Sequence, residues 1–170
     1  MAQSRRAASR GTRDDAPLEG ARILVVEGRF YEEIADELLA GAKRALDAAQ
    51  VKYDVATVPG ALEIPQALAL ALDAAAKGKA PYDGAVALGC VIRGETSHYD
   101  IVAGESARAL MDIGIASGVP VGNGILTVDR VTQARVRASR EGQDKGGSAA
   151  RAALALVRLT RSLARPKGRR

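Results

Sequence analysis

Tryptophan is absent from this chain, and cysteine, histidine and phenylalanine occur once each. The single thiol, Cys90, excludes a disulfide framework within the chain and any multi-cysteine zinc site. With aromatics at 3%, the core has to be built from Ala, Val, Ile and Leu, and the stacking aromatics of RNA-binding sheets are missing. No run approaches the ~18 apolar residues that suggest a membrane span, and the polar, arginine-rich beginning does not read as a signal peptide. The expectation is a cytoplasmic protein with no membrane partner. Acidic residues are absent from 158–170, where Arg158, Arg161, Arg165, Lys167, Arg169 and Arg170 gather six positive charges; residues 1–157 therefore sum to −1 within a net charge of +5. An excess confined to one end argues against a nucleic-acid partner.

At 170 residues the chain is long enough for one domain with one sizeable core. Residues 1–20, polar and rich in Arg, Ala, Ser and Gly, read as a disordered arm. Residues 164–170 read as a basic tail, which leaves 21–163 as a single α/β domain. Within it, apolar runs alternate with helical periodicity. Strands are expected at 21–27, 51–57, 84–92 and 119–127. Helices are expected at 31–50, 62–77, 98–117, 130–140 and 145–163. In the first helix Ile34, Leu38, Ala42 and Leu46 form one stripe. Val102, Ala109 and Ile113 are the expected inward residues of the third. Asp129 is placed to cap the fourth, and Gly142 ends it. Gly122-Asn123-Gly124 interrupts the last strand, as a hairpin turn or as a bend beside a ligand. The order βαβαβαβαα implies a four-stranded parallel sheet with helices on both faces, a flavodoxin-like three-layer sandwich.

Residues 88–100, Leu-Gly-Cys-Val-Ile-Arg-Gly-Glu-Thr-Ser-His-Tyr-Asp, carry the densest chemistry. A strand runs through a short loop into a helix, and Ser97 with Asp100 fits a capping box. The N–H groups of Glu95, Thr96 and Ser97 would face an anion at the helix start. His98, the only imidazole, stands at the first helical position as a proton-transfer candidate, at the carboxyl end of a strand. Metal binding by His98 with Glu95 or Asp100 is disfavoured by the single imidazole. Gly28-Arg29-Phe30 lacks the third glycine of a dinucleotide fingerprint; its Phe30 either packs or stacks on a flat heterocycle. The turn 58–65 presents Glu63 at the same edge. Arg135, Arg137, Arg140 and Lys145 cluster after the fourth strand, either as a solvated helix face or with one arginine turned inward for a phosphate. No hydroxyl nucleophile sits in a nucleophile elbow. The set fits a cofactor-free reaction between a phosphorylated substrate and a flat partner.

Taken in order, Gly28-Arg29-Phe30, Val58-Pro59-Gly60-Ala61-Leu62-Glu63-Ile64-Pro65, the stretch 88–100, Gly124-Ile125-Leu126-Thr127, Gln133-Ala134 and Asp144-Lys145-Gly146 resemble the 6,7-dimethyl-8-ribityllumazine synthase family over about residues 20–160. The resemblance implies a transferase of riboflavin biosynthesis that condenses 5-amino-6-(D-ribitylamino)uracil with 3,4-dihydroxy-2-butanone 4-phosphate, without metal or redox cofactor. It implies that Phe30 stacks on the pyrimidine. Ala61, Leu62 and Glu63, with Cys90, Val91 and Ile92, hold the ring and ribityl chain. Glu95 and Thr96 offer N–H groups to the phosphate, Arg137 is its guanidinium partner, His98 transfers protons, and Lys145 lies close to the ribityl and phosphate region. The chain departs from many relatives where Leu62 replaces an aromatic and Asn123 a phenylalanine. Residues 139–144 also lack the Gly-Thr/Gly-Lys-x-Gly-Asn pattern of members that form icosahedral shells. The implied assembly is a homopentamer, with a sixty-subunit shell as the alternative. Its active sites lie between subunits, Phe30 and Leu62 from one chain and His98 and Arg137 from the next, or a similar division. The competing expectation is a flavin- or lumazine-binding protein of the same fold with little turnover.

Overall fold

The computed structural model describes residues 16–164. Within them the chain runs β1 (Arg22–Gly28), α1 (Glu32–Ala48), β2 (Lys52–Val58), a short 3-10 turn (Ala61–Glu63), α2 (Ile64–Lys77), β3 (Gly84–Ile92), α3 (His98–Ser117), β4 (Val121–Val128), α4 (Val131–Ala138) and α5 (Lys145–Ala164). The strands form one parallel sheet in the order β2-β1-β3-β4. The expected three-layer α/β sandwich is therefore what forms. Chain direction across the sheet switches between β1 and β3, and open α/β folds place their ligands at the carboxyl end of such a switch.

β3 reads Gly-Ala-Val-Ala-Leu-Gly-Cys-Val-Ile and is buried along nearly its whole length, as a central parallel strand must be. Its alternate residues feed two cores. Val86, Leu88 and Cys90 join the stripe Ile34, Leu38, Ala42 and Leu46 of α1 and Ala150, Ala153 and Val157 of α5. Ala85, Ala87 and Val91 pack with Leu24, Val26, Ile64, Leu68 and Leu110 on the α2–α3 side. Each fully buried Leu or Ile contributes roughly 1.5–3 kcal/mol relative to exposure. In α3 the fully buried positions are Ser106 and Leu110; Val102, Ala109 and Ile113 are only partly covered. No helix of the described residues is long and apolar enough to cross a membrane.

Several local expectations are corrected. β4 is continuous: Gly122-Asn123-Gly124 makes neither a hairpin nor a bend. The glycines answer to packing, because a Cβ on Gly122 would run into the Ala149 carbonyl of α5, and one on Gly124 would sit 2.9 Å from Ala149 Cβ. α1 stops at Ala48 because Gln50 turns left-handed at φ 55°. Ser97 does not cap α3 with its side chain; Asp100 instead accepts from Arg93 at 3.3 Å. Asp129 does not cap α4. The Gln133 side-chain oxygen reaches back to the N–H groups of Asp129 and Arg130, at 2.9 and 3.1 Å.

The arm expected over 1–20 is packed at its far end. Leu18 is buried and its N–H donates to the Ala49 carbonyl at 2.9 Å. Arg158 donates to the Ala16 carbonyl and Arg161 to that of Glu19, at 2.6 and 3.1 Å. Two of the arginines counted with the basic end thus hold the chain's entry to β1. Residues 1–15 of the expected arm, and 165–170 of the expected tail, lie outside the described residues.

Candidate active site

Three strand ends meet beside the start of α3. β1 delivers Phe30 through the turn at Gly28, β2 delivers Ala61, Leu62 and Glu63, and β3 delivers Cys90, Val91 and Ile92. With Thr96 and His98 these residues line one cavity of about 460 Å³. Two of the walls touch through backbone: a Cβ on Gly28 would lie 2.8 Å from the Gly60 carbonyl carbon, so the β1–α1 and β2–α2 turns can abut only without a side chain there. Phe30 is 73% exposed, its ring edge-on to Tyr31 at 5.0 Å between centroids. A large apolar ring left this open in a cavity wall is available for stacking.

The loop between β3 and α3 is held from below by Arg93. Its guanidinium lies 4.0 Å over the Tyr99 ring and reaches Asp100 at 3.3 Å and Asp129 at 3.2 Å. Above that anchor the N–H groups at the start of α3 are outside the helical ladder and face the cavity mouth. The His98 N–H donates to Thr96 Oγ1 at 3.4 Å, and the imidazole side chain is exposed. Cys90 is enclosed by apolar neighbours, and burial pushes its thiol up to about 12. It is a neutral wall group and not a nucleophile. Among the described residues no group of three or more His, Cys, Asp or Glu could hold a metal ion.

Not every expected site residue meets here. Glu95 is exposed and does not line the cavity, although its neighbours Gly94 and Thr96 do. Asn123, Arg137 and Lys145 line a separate cleft of about 350 Å³ between β4, α4 and α5. In that cleft Arg137 Nη1 donates only to the Gln133 carbonyl of its own helix, at 3.3 Å, among the described residues. Arg135 turns to Glu33 at 3.1 Å, and Arg140 does not line the cleft. The division expected between subunits is corrected: His98 shares a cavity with Phe30 and Leu62, and it is Arg137, Lys145 and Asn123 that stand apart. Sequence reasoning missed Tyr31, Tyr99 and Val102 in the wall. The two tyrosines adjoin quoted motifs, and Val102 was assigned to the core.

This arrangement can be set against known proteins. The profile of the 6,7-dimethyl-8-ribityllumazine synthase family matches residues 20–161. The chain belongs to that family. Among similar curated proteins, the 6,7-dimethyl-8-ribityllumazine synthase of Afipia carboxidovorans is 56% identical over 153 residues, covering 90% of this chain and 94% of that one. The 6,7-dimethyl-8-ribityllumazine synthase 1 of Rhizobium meliloti is 59% identical over 152 residues, covering 89% and 99%. That of Methylorubrum extorquens strain PA1 is 61% identical over 145 residues, covering 85% and 84%. The family match spans every strand and helix that feeds the cavity.

Proposed function

We propose that this chain condenses 5-amino-6-(D-ribitylamino)uracil with 3,4-dihydroxy-2-butanone 4-phosphate to 6,7-dimethyl-8-ribityllumazine, phosphate and water. The observation that carries the reading is one cavity in which the exposed Phe30 ring, the Ala61–Glu63 turn, the Cys90-Val91-Ile92 strand end and His98 face each other, in a chain of this family. Nothing in the cavity favours the alternative of a flavin carrier without turnover.

On this reading the pyrimidine stacks on Phe30, with Ala61, Leu62, Glu63, Cys90, Val91 and Ile92 around ring and ribityl chain. The 5-amino group attacks the ketone carbon, forming a C–N bond, and loss of water leaves an imine. The C–O bond to phosphate then breaks with its electron pair. The ribityl-bearing nitrogen closes on the remaining carbonyl, and a second water leaves. His98 moves protons at the amine and the carbonyl oxygen, worth typically ~10²–10⁴-fold. Thr96 and Glu95 offer backbone N–H groups to the phosphate. Much of the remaining rate comes from holding two reactants together.

A phosphate anchored by Arg137 beside His98 requires both in one site, and a single subunit keeps them in separate cavities. The active site is therefore shared: Phe30, Leu62 and His98 from one subunit; Asn123, Arg137 and Lys145 from the next. A groove between α3 and α5 supports such closure, because Met111, Ile115, Leu156, Leu159 and Leu163 leave apolar surface open along it. The assembly is a homopentamer in the cytoplasm, free rather than built into a sixty-subunit shell, since the shell pattern is missing at 139–144. Mixing purified protein with both substrates and following lumazine absorbance and fluorescence tests the activity; folded protein that makes no lumazine overturns it. Light scattering tests the assembly, with a monomer mass against it and a megadalton particle reversing the preference for free pentamers.

A further inference from the structure

Glu27 is an acid that the reaction as drawn does not use. It closes β1 and is only 4% exposed, on the sheet face that Ile23 and Val25 otherwise fill with apolar contacts. Thr57, its register partner on β2, donates its hydroxyl to Glu27 Oε1 at 3.0 Å. The Arg29 guanidinium reaches Glu27 Oε2 at 3.2 Å and, through its other terminal nitrogen, Asp36 of α1 at 2.6 Å. The Arg29 backbone N–H donates to the Val58 carbonyl at 3.1 Å. Arg29 is thus gripped by β1, β2 and α1 at once, and the next residue is Phe30.

A buried carboxylate–guanidinium pair is poor evidence of a stability device, because apolar residues of like volume often serve as well. What this pair does provide is a direction. Residues at a strand end have several accessible backbone conformations, and an exposed ring has few contacts of its own to choose among them. Fixing Arg29 on both sides fixes where the following Cα–Cβ bond points. We infer that Glu27 is a positioning residue for the known condensation, holding the Phe30 ring parallel to the incoming pyrimidine through Arg29. The inference rests on the reading that Phe30 stacks on that ring.

Steady-state kinetics with each substrate varied in turn separate the possibilities. Glu27→Gln keeps an acceptor for Thr57 but removes the charge that holds Arg29. It should raise KM for the ribitylaminouracil about five- to tenfold, the scale of one lost charge-assisted contact. KM for the butanone phosphate and kcat should stay within about twofold. In a Phe30→Ala background the same substitution should add less than about twofold, because the group it acts through is gone. Asp36→Asn, at the exposed end of the network, should move the same KM in the same direction by about twofold, and serves where Glu27→Gln does not fold. Equal changes in both KM values, or a full effect that persists without Phe30, would make Glu27 a fold support and overturn the inference. If Phe30→Ala alone leaves the pyrimidine KM unchanged, the stacking reading falls and this inference with it. If Phe30→Ala raises that KM while neither Glu27→Gln nor Asp36→Asn does, only this inference falls.

Discussion

The cavity around Phe30 and the cleft around Arg137 lie in the same subunit, yet they are held in different ways. The first is braced from a distance. Glu27, Arg29, Asp36 and Thr57 lock one wall, and Arg93 ties Tyr99, Asp100 and Asp129 beneath another. The second is braced locally: Arg137 bonds to its own helix, and Asn123 Oδ1 accepts the Ile125 N–H two residues along its own strand. Long-range bonds fix a binding surface before a ligand arrives, whereas local ones leave side chains free to swing toward whatever docks there. The subunit therefore presents one finished half-site and one adaptable half-site.

The largest effect should come from the finished half. His98→Ala is expected to lower kcat by about 10²–10⁴-fold, with the residue of activity due to positioning. Unchanged turnover, or none at all in a folded variant, would contradict that ranking. Next comes the adaptable half. Arg137→Lys keeps the charge but loses the paired donor fork, so kcat/KM should fall about 10–100-fold, chiefly against the butanone phosphate. A loss falling on the pyrimidine would remove Arg137 as the anchor and leave Arg140 to be tried.

A third test joins the halves. Subunits carrying His98→Ala and Arg137→Ala, unfolded together and reassembled at equal amounts, should regain up to about a quarter of wild-type activity, because one interface in four pairs two intact halves. Mixtures no better than the separate variants would place both residues in one subunit's site. The smallest effect concerns Cys90. Its folded thiol is pushed up to about 12 by burial, so it stays protonated at neutral pH and native protein should resist alkylation between pH 7 and 8. The unfolded thiol ionises from about pH 8.5. The folded state then holds the extra proton, and the contribution of Cys90 to stability is complete below that value and lost as pH rises toward 12. Rapid labelling of folded protein at pH 7 would show the wall to be open.

Much of this was legible because the apolar pattern is strict. The stripe of α1 and the unbroken run of β3 can be buried in few other ways, and the motif order placed Phe30, Ala61–Glu63, Cys90–Ile92 and His98 at one sheet edge. What escaped depended on partners distant in the chain. Ser97 and Asp100 look like a capping box until Arg93 takes the carboxylate. Gly122 and Gly124 look like a turn until Ala149 of α5 is pressed against them. Arg158 looks like part of a loose basic end until the Ala16 carbonyl accepts its proton. The separation of His98 from Arg137 is set by the sheet, since one follows β3 and the other lies beyond β4. Leu110 was missed because α3 also carries exposed Ile101, Met111 and Ile115, which blur the phase of its inner face.

The seam between β1 and β3 has a consequence for how the protein is made. Ile23 pairs with Gly84 and Val26 with Ala87, so a ribosome must deliver α1, β2 and α2 before the seam can close. Until then the emerging chain carries Phe30 and Glu63 with no floor beneath them, and neither substrate finds a place to bind. Parallel strands joined over such spans zip late. Either substrate, and any analogue of it, is therefore blind to the early nascent chain and acts only on the later stage, where it holds the closed seam shut by mass action.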